Sequence, residues 1–272
     1  MNHDVPGAGA LDYHVCQYDG GRLLFRGPPQ LVTGDTVLCL GGTETFGKFV
    51  PQPWPDRLRA LTGRQVVNLG CVNAGLDAFL GDRAVLAMTR RAAVTVVQVM
   101  GVQNASNRYY TVHPRRNDRF LGPTPLLRDL FAEVDFTEFH FTRHLVTALA
   151  DHDPTRFAAV LDDLRAVWLA RMRGLLAQAG GWRVVLWMAD HDPGDSVLRA
   201  DPWGVDAVTL DALADDCDLI LRVPYSARAR ALGGAGMAFT WLETAVAQGL
   251  PGPAAHDEVA TALAAALTTR GA

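Results

Sequence analysis

The stretch VLCLGGTETFGKF, Val37 to Phe49, decides how this chain is read. Its first half is a short apolar run with β-branched and bulky residues. Its second half opens with Gly41-Gly42 and exposes small polar side chains, the pattern of a buried strand breaking into a tight turn. Four further runs share the character of its first half: QVVNL from Gln65, VTVVQVM from Val94, WRVVLWM from Trp182 and DLILRV from Asp218. Most are continuous rather than alternating, as expected of strands covered on both faces in a parallel sheet. Helical patterns lie between them. Trp54, Leu58 and Leu61 are spaced by four and three, and DRAVLAMTRRA follows the second run. Leu161, Leu164, Trp168, Met172 and Leu175 trace one face of a long helix expected to end at Gly180-Gly181, and Val259, Leu263 and Leu267 mark a closing helix. Parallel strands need crossovers, so the sequence predicts an α/β fold with a doubly wound, mainly parallel five-stranded sheet.

The 272 residues, 49% of them hydrophobic, suffice for one domain spanning residues 1–272 with a substantial core. One segment breaks the regular spacing. Residues 107–157, between the third strand and the long helix, are too long for an ordinary connection and read as a helical insertion that serves as lid, binding loop or homo-oligomer contact. A net charge of -4 argues against nucleic acid or an anionic membrane surface as partner. Cys16, Cys39, Cys71 and Cys217 form no C-x-x-C pair, no signal-peptide pattern opens the chain, and no apolar run is long enough to span a bilayer. These features favour a cytoplasmic protein acting on a small molecule or saccharide.

In open α/β sheets the ligand lies beyond the carboxyl ends of the strands. The residues following each run here are polar: GGTETFG, GCVNAG, GVQNASNR, ADHDPGD and PYSARAR. Taken in order, they resemble the motif blocks of the SGNH, or GDSL-type, hydrolase superfamily. Gly41-Gly42-Thr43-Glu44-Thr45-Phe46-Gly47 is similar to G-D-S-x-T-x-G, with Gly42 for the Asp and Thr43 for the nucleophilic Ser. The Asn68 to Asn73 segment resembles N-x-G-x-x-G, with Asn73 in place of the last Gly. Gly101-Val102-Gln103-Asn104 resembles G-x-N-D, and Pro253-Ala254-Ala255-His256 keeps the His but not the Asp of D-x-x-H. The combination of GGTETFGKF, NLGCVNAG and HPRRNDRF looks like a divergent bacterial branch of this fold. The resemblance implies a three-layer SGNH/flavodoxin-like sandwich and acyl chemistry.

Acyl transfer needs a nucleophile, a base, an orienter and oxyanion donors. The resemblance makes Thr43 the candidate nucleophile and His256 the base, with Asp190 or His191 supplying the missing carboxylate or a replacement base. Asn73, Gln103 and Asn104 would surround the oxyanion. Thr43 reads equally well as a turn residue, because its methyl crowds an approaching carbonyl. Arg108, Arg115 and Arg116 of the insertion would grip an anion, and a coenzyme A donor would suit them, although the sequence requires no cofactor. His140 and His144 are four apart without a third ligand, so no metal site is expected. Two functions follow from these residues. One is an esterase or acyltransferase for an acylated or anionic small molecule or saccharide; the other is an inactive SGNH-like ligand-binding or assembly protein.

Overall fold

The computed structural model describes residues 10–194 and 198–271. Its strands are β1 (Val37–Gly41), β2 (Val66–Gly70), β3 (Val94–Gln98), β4 (Tyr110–Val112), β5 (Phe120–Pro123), β6 (Trp182–Ala189) and β7 (Leu219–Pro224). The five apolar runs of the sequence are β1, β2, β3, β6 and β7. They form one sheet in the order β2-β1-β3-β6-β7 with every neighbouring pair parallel. The chain runs out from β1 to β2, returns past β1 to β3, and continues to β6 and β7. The order therefore reverses beside β1, which is where a doubly wound sheet opens a crevice.

The helices are α1 (Thr43–Phe46), α2 (Trp54–Thr62), α3 (Leu76–Leu80), α4 (Arg83–Arg91), α5 (Pro125–Leu130), α6 (Thr142–His152), α7 (Pro154–Leu176), α8 (Ala207–Asp211), α9 (Ala227–Leu232), α10 (Thr244–Gln248) and α11 (Pro253–Gly271). They cover both faces of the sheet, and alternate strand residues sort between two cores. Val37, Cys39, Val94 and Val96 pack with Leu58 of α2 and with Val259 and Leu263 of α11. Leu38, Leu40, Val67 and Val97 pack with Val85 of α4 and with Trp168, Met172 and Leu175 of α7. Both sets lie in dry surroundings, which explains why the strands read as continuous apolar runs. Two details differ from the sequence reading. Leu61 is exposed on α2, because Trp54 and Leu58 alone fill the contact with the sheet. The long helix ends at Leu176, short of the glycine pair.

Residues 107–157 are not simply helical. They begin with the antiparallel β4–β5 hairpin, whose Tyr110, Val112 and Phe120 are buried, and then add α5, a 3-10 turn (Phe136–Glu138), α6 and the start of α7. His140 precedes α6, so it does not share a helical face with His144. The segment is fastened by fully buried Asn117. Its Oδ1 accepts from the N–H groups of Gly75 and Ala78 at 3.0 Å each, and its Nδ2 donates to the His113 carbonyl. No helix among the described residues is long and apolar enough to cross a membrane.

Asn117→Ala should leave the buried Gly75 N–H without an acceptor and Ala78 N–H with only its 3.3 Å bond to the Gly75 carbonyl. The expected cost is about 2–3 kcal/mol in urea unfolding, with faster proteolysis within residues 107–157 than in wild type.

Candidate functional site

The turn after β1 is held by one side chain. Gln98, the last residue of β3, is buried, and its Oε1 accepts from Gly42 N–H at 3.0 Å, Thr45 N–H at 3.2 Å and the Thr45 hydroxyl at 2.5 Å. Its Nε2 donates to Glu44 Oε2 at 2.9 Å. The short helix α1 has no side-chain N-cap of its own, and this amide supplies the missing acceptor across the sheet. Gly41 permits the approach, since a Cβ there would lie 2.3 Å from Gln98 Oε1. Gly70 plays the same part on the other side, where a Cβ would lie 2.1 Å from the Phe46 nitrogen.

Beyond the carboxyl ends of the strands lies a cavity of about 760 Å³. It gathers Thr43, Asn73, Gln103, Asn104 and Asp190 from the residues that the sequence singles out. Thr43 is half-buried at the start of α1. Its hydroxyl donates to Asn73 Oδ1 at 3.2 Å and accepts from Asn73 N–H at 3.0 Å. Asn73 adopts a left-handed φ of 57°, a conformation its side chain tolerates better than most. Its Nδ2 then donates to Asp118 Oδ2 at 3.2 Å. The result is a Thr43–Asn73–Asp118 chain in which an amide occupies the middle position. An amide orients its neighbours but does not take up a proton near neutral pH, so this chain cannot generate an alkoxide as an imidazole would.

His256 does not complete the chain. It lies inside the first turn of α11 rather than ahead of the helix, and it is 1% exposed. Its Nδ1 accepts from Trp54 N–H at 3.0 Å, and the ring also bonds to the Pro251 carbonyl. Burial, reinforced by the charges of Arg26 and Arg57, pushes its pKa down to about 3. The imidazole is a neutral tie between α2 and the loop before α11, which corrects its assignment as base. His191 is paired with Asp190, Nδ1 to Oδ1 at 2.7 Å, and packs edge-on against Trp187. Asp190 borders the cavity, whereas the His191 ring is not part of its lining.

The insertion arginines also lie elsewhere. Arg108 is exposed, paired with Asp163 at 3.0 Å and set over the Tyr109 ring. Arg115 borders a separate small cavity next to α3, and Arg116 is exposed outside both. The hairpin and the Asn117 anchor turn all three off the mouth, so the clamp expected from Arg108, Arg115 and Arg116 is not formed. Three other arginines border the large cavity. Arg143 pairs with Asp201 at 2.6 Å, Arg230 donates to the Tyr225 carbonyl at 2.6 Å and the Asp190 carbonyl at 3.2 Å, and Arg199 lies between the ends of β6 and α8. Glu44, Asp118, Thr142 and Tyr225 join them in the lining. Burial, with Asp201 adding to it against the opposing Gln98 bond, raises the Glu44 carboxyl above its usual range; burial likewise raises the Tyr225 phenol, keeping it protonated. A lone Gln inside the apolar run VTVVQVM was a sequence signal for Gln98. Nothing local distinguished Arg143 or Arg230 from surface arginines.

These elements define an α/β domain with a cavity at the switch point of a parallel sheet. The chain belongs to the family described as Domain of unknown function (DUF6473), whose model matches residues 1–271. No curated protein sequence matches it. Two solved structures of low identity are similar to it. The lipase Lip_vut3 from a goat rumen metagenome is 12% identical, with a TM-score of 0.44 over 85% of this chain and 97% of that one. A protein described as a GDSL-like lipase from Bacteroides ovatus is 11% identical, with a TM-score of 0.38 over 88% and 54% of the two chains.

Gln98→Leu should orphan three buried donors at once and cost about 3 kcal/mol or more in urea unfolding. For His256 the unfolded imidazole takes up its proton near the ordinary 6.5 and the folded one only near 3, so between those values the unfolded state binds more protons. The contribution of neutral His256 is complete above the upper value and is lost as the pH falls through the lower one. Unfolding free energies measured across that window should fall less steeply for His256→Gln than for wild type.

Proposed function

We propose that this chain is an SGNH-like protein that binds an acylated or anionic small molecule or saccharide in the large cavity, with Thr43 as a hydrogen-bonding residue rather than a nucleophile. One observation carries the reading: the Thr43 hydroxyl is engaged in both directions by Asn73, with no titratable base bonded to it among the described residues. The cavity supplies the groups a polar ligand needs. Arg143, Arg199 and Arg230 offer donors to an acidic group, and Asn73, Asn104 and Thr142 suit hydroxyls or a carbonyl.

Ester hydrolysis or acyl transfer is the second reading. It is favoured by the placement of Thr43 at the mouth of the first βα turn, one amide away from the Asp118 carboxylate. A transfer reaction would need its acyl donor, coenzyme A included, to be gripped by Arg143, Arg199 and Arg230.

Purified protein incubated with short p-nitrophenyl esters and a serine-hydrolase phosphonate probe should show neither turnover nor labelling above the level of Thr43→Ala. Ester turnover abolished by Thr43→Ala would overturn the binding reading in favour of the second. Binding of glucose 6-phosphate, followed by ligand-observed NMR, should weaken about tenfold in Arg143→Ala, the loss expected for one charge-assisted contact.

A further inference from the structure

The motif that Gly41 to Gly47 resembles carries an Asp where this chain has Gly42, and a neighbouring side chain uses the space. Glu44 folds back over that glycine, where a Cβ would lie 2.9 Å from Glu44 Oε2. There the oxygen accepts from Gln98 Nε2 at 2.9 Å. Besides that amide and its own N–H, the carboxyl has no hydrogen-bond partner among the described residues, and no lysine or arginine pairs with it. Glu44 is half-buried and lines the large cavity.

Tyr225, the residue after β7, lines the same cavity and is 8% exposed. Its hydroxyl makes no hydrogen bond among the described residues, yet it is not sealed, so it opens on the cavity. Burial raises this phenol, and of the charges that add to the effect Glu44 comes first, ahead of Asp190 and Glu258. The carboxyl and the phenol are therefore neighbours across the cavity. Each has an arginine close by. Arg230 donates to the Tyr225 carbonyl at 2.6 Å, and Asp201, whose charge acts on Glu44, holds Arg143 at 2.6 Å. A carboxylate only accepts and a phenol hydroxyl can donate, so a group that meets both must itself donate and accept. A ligand hydroxyl does so. An ammonium has nothing to accept with, and a phosphate or carboxylate at that point would be repelled by Glu44.

We infer that Glu44 and Tyr225 form a clamp for one hydroxyl of a polyhydroxylated anion, a sugar phosphate or sugar acid whose acidic group goes to Arg143 and Arg230. This rests on the reading of the cavity as a small-molecule or saccharide site and names the ligand class it selects. The ligand hydroxyl donates to the Glu44 carboxylate and accepts from the Tyr225 hydroxyl. The Glu44 charge turns the acidic group away and the arginines receive it, so the two contacts together fix the direction of the ligand.

The test is titration of the intact protein with two pairs of probes, followed by ligand-observed NMR: glucose 6-phosphate against methyl phosphate, and D-gluconate against acetate. In one pair the polyhydroxylated member should bind about tenfold or more tighter than its hydroxyl-free counterpart, and which pair does so separates a sugar phosphate from a sugar acid. Tyr225→Phe should weaken that member about three- to tenfold, and Glu44→Gln should weaken it about tenfold, with the counterpart unaffected. Because the Tyr225 hydroxyl has no partner to lose, Tyr225→Phe should leave the thermal midpoint unchanged or raised. If glucose 6-phosphate or gluconate binds, and either Tyr225→Phe or Glu44→Gln leaves its affinity unchanged, the clamp is overturned while the cavity reading stands. Polyhydroxylated probes that bind no tighter than their counterparts overturn the clamp in the same way. If none of the four probes binds, both are overturned. Circular dichroism establishes that Glu44→Gln is folded, and if it is not, Tyr225→Phe alone decides.

Discussion

The geometry of the site depends on the Gln98 side chain. A four-residue helix such as α1 cannot stabilise itself, because forming its first turn orders several residues for a single hydrogen bond. Gln98 offsets that cost from the neighbouring strand by accepting three donors of the turn on one oxygen and tethering Glu44 with its amide. Such an arrangement works only if β1 and β2 end in glycines, since any side chain at Gly41 or Gly70 would occupy the space used by the turn. Strand order, turn and cavity mouth are in this sense one feature. Loss of the amide would release the segment that presents Thr43.

The segment between β3 and α7 acts on this mouth indirectly. Asn117 docks the hairpin onto α3, and that docking delivers Asp118 to Asn73 and Thr142 to Asn104. It also carries the conspicuous arginines outward. The positive charge bordering the cavity comes from Arg143 of α6, Arg230 of α9 and Arg199 before α8, the first two already committed in part to a carboxylate or a carbonyl. Donors held in this way are preorganised, so a ligand does not have to order them.

An amide, not an imidazole, stands beside Thr43. Thr43, Asn73 and Asp118 are hydrogen-bonded in a line, as nucleophile, base and orienter would be, yet the middle member has no lone pair basic enough to accept a proton. His256 lies in the first turn of the last helix, where it serves packing. Between α2 and α11 it fills a buried position and satisfies Trp54 N–H, a task that needs a neutral ring and is served by the depressed pKa.

The sheet was legible in the sequence because burial on both faces writes itself into every strand residue. Val37 through Leu40 are apolar without alternation, Val94, Val96 and Val97 flank a single buried Thr95, and the helices facing them repeat at helical spacing. The polar turns at the strand ends were legible for a related reason, since only they break the apolar runs; hence Thr43, Asn73, Gln103, Asn104 and Asp190 were found. The hairpin within 107–157 was less visible, its strands being only three and four residues long. What the sequence by itself determined is therefore the α/β architecture and the edge of the sheet at which the cavity opens. Only the tertiary structure decided which charged groups reach that edge. Arg115, Arg143 and His256 carry no local mark of where they point, because side-chain direction is set by contacts between segments far apart in the chain, such as Asn117 with Gly75 and Trp54 with His256.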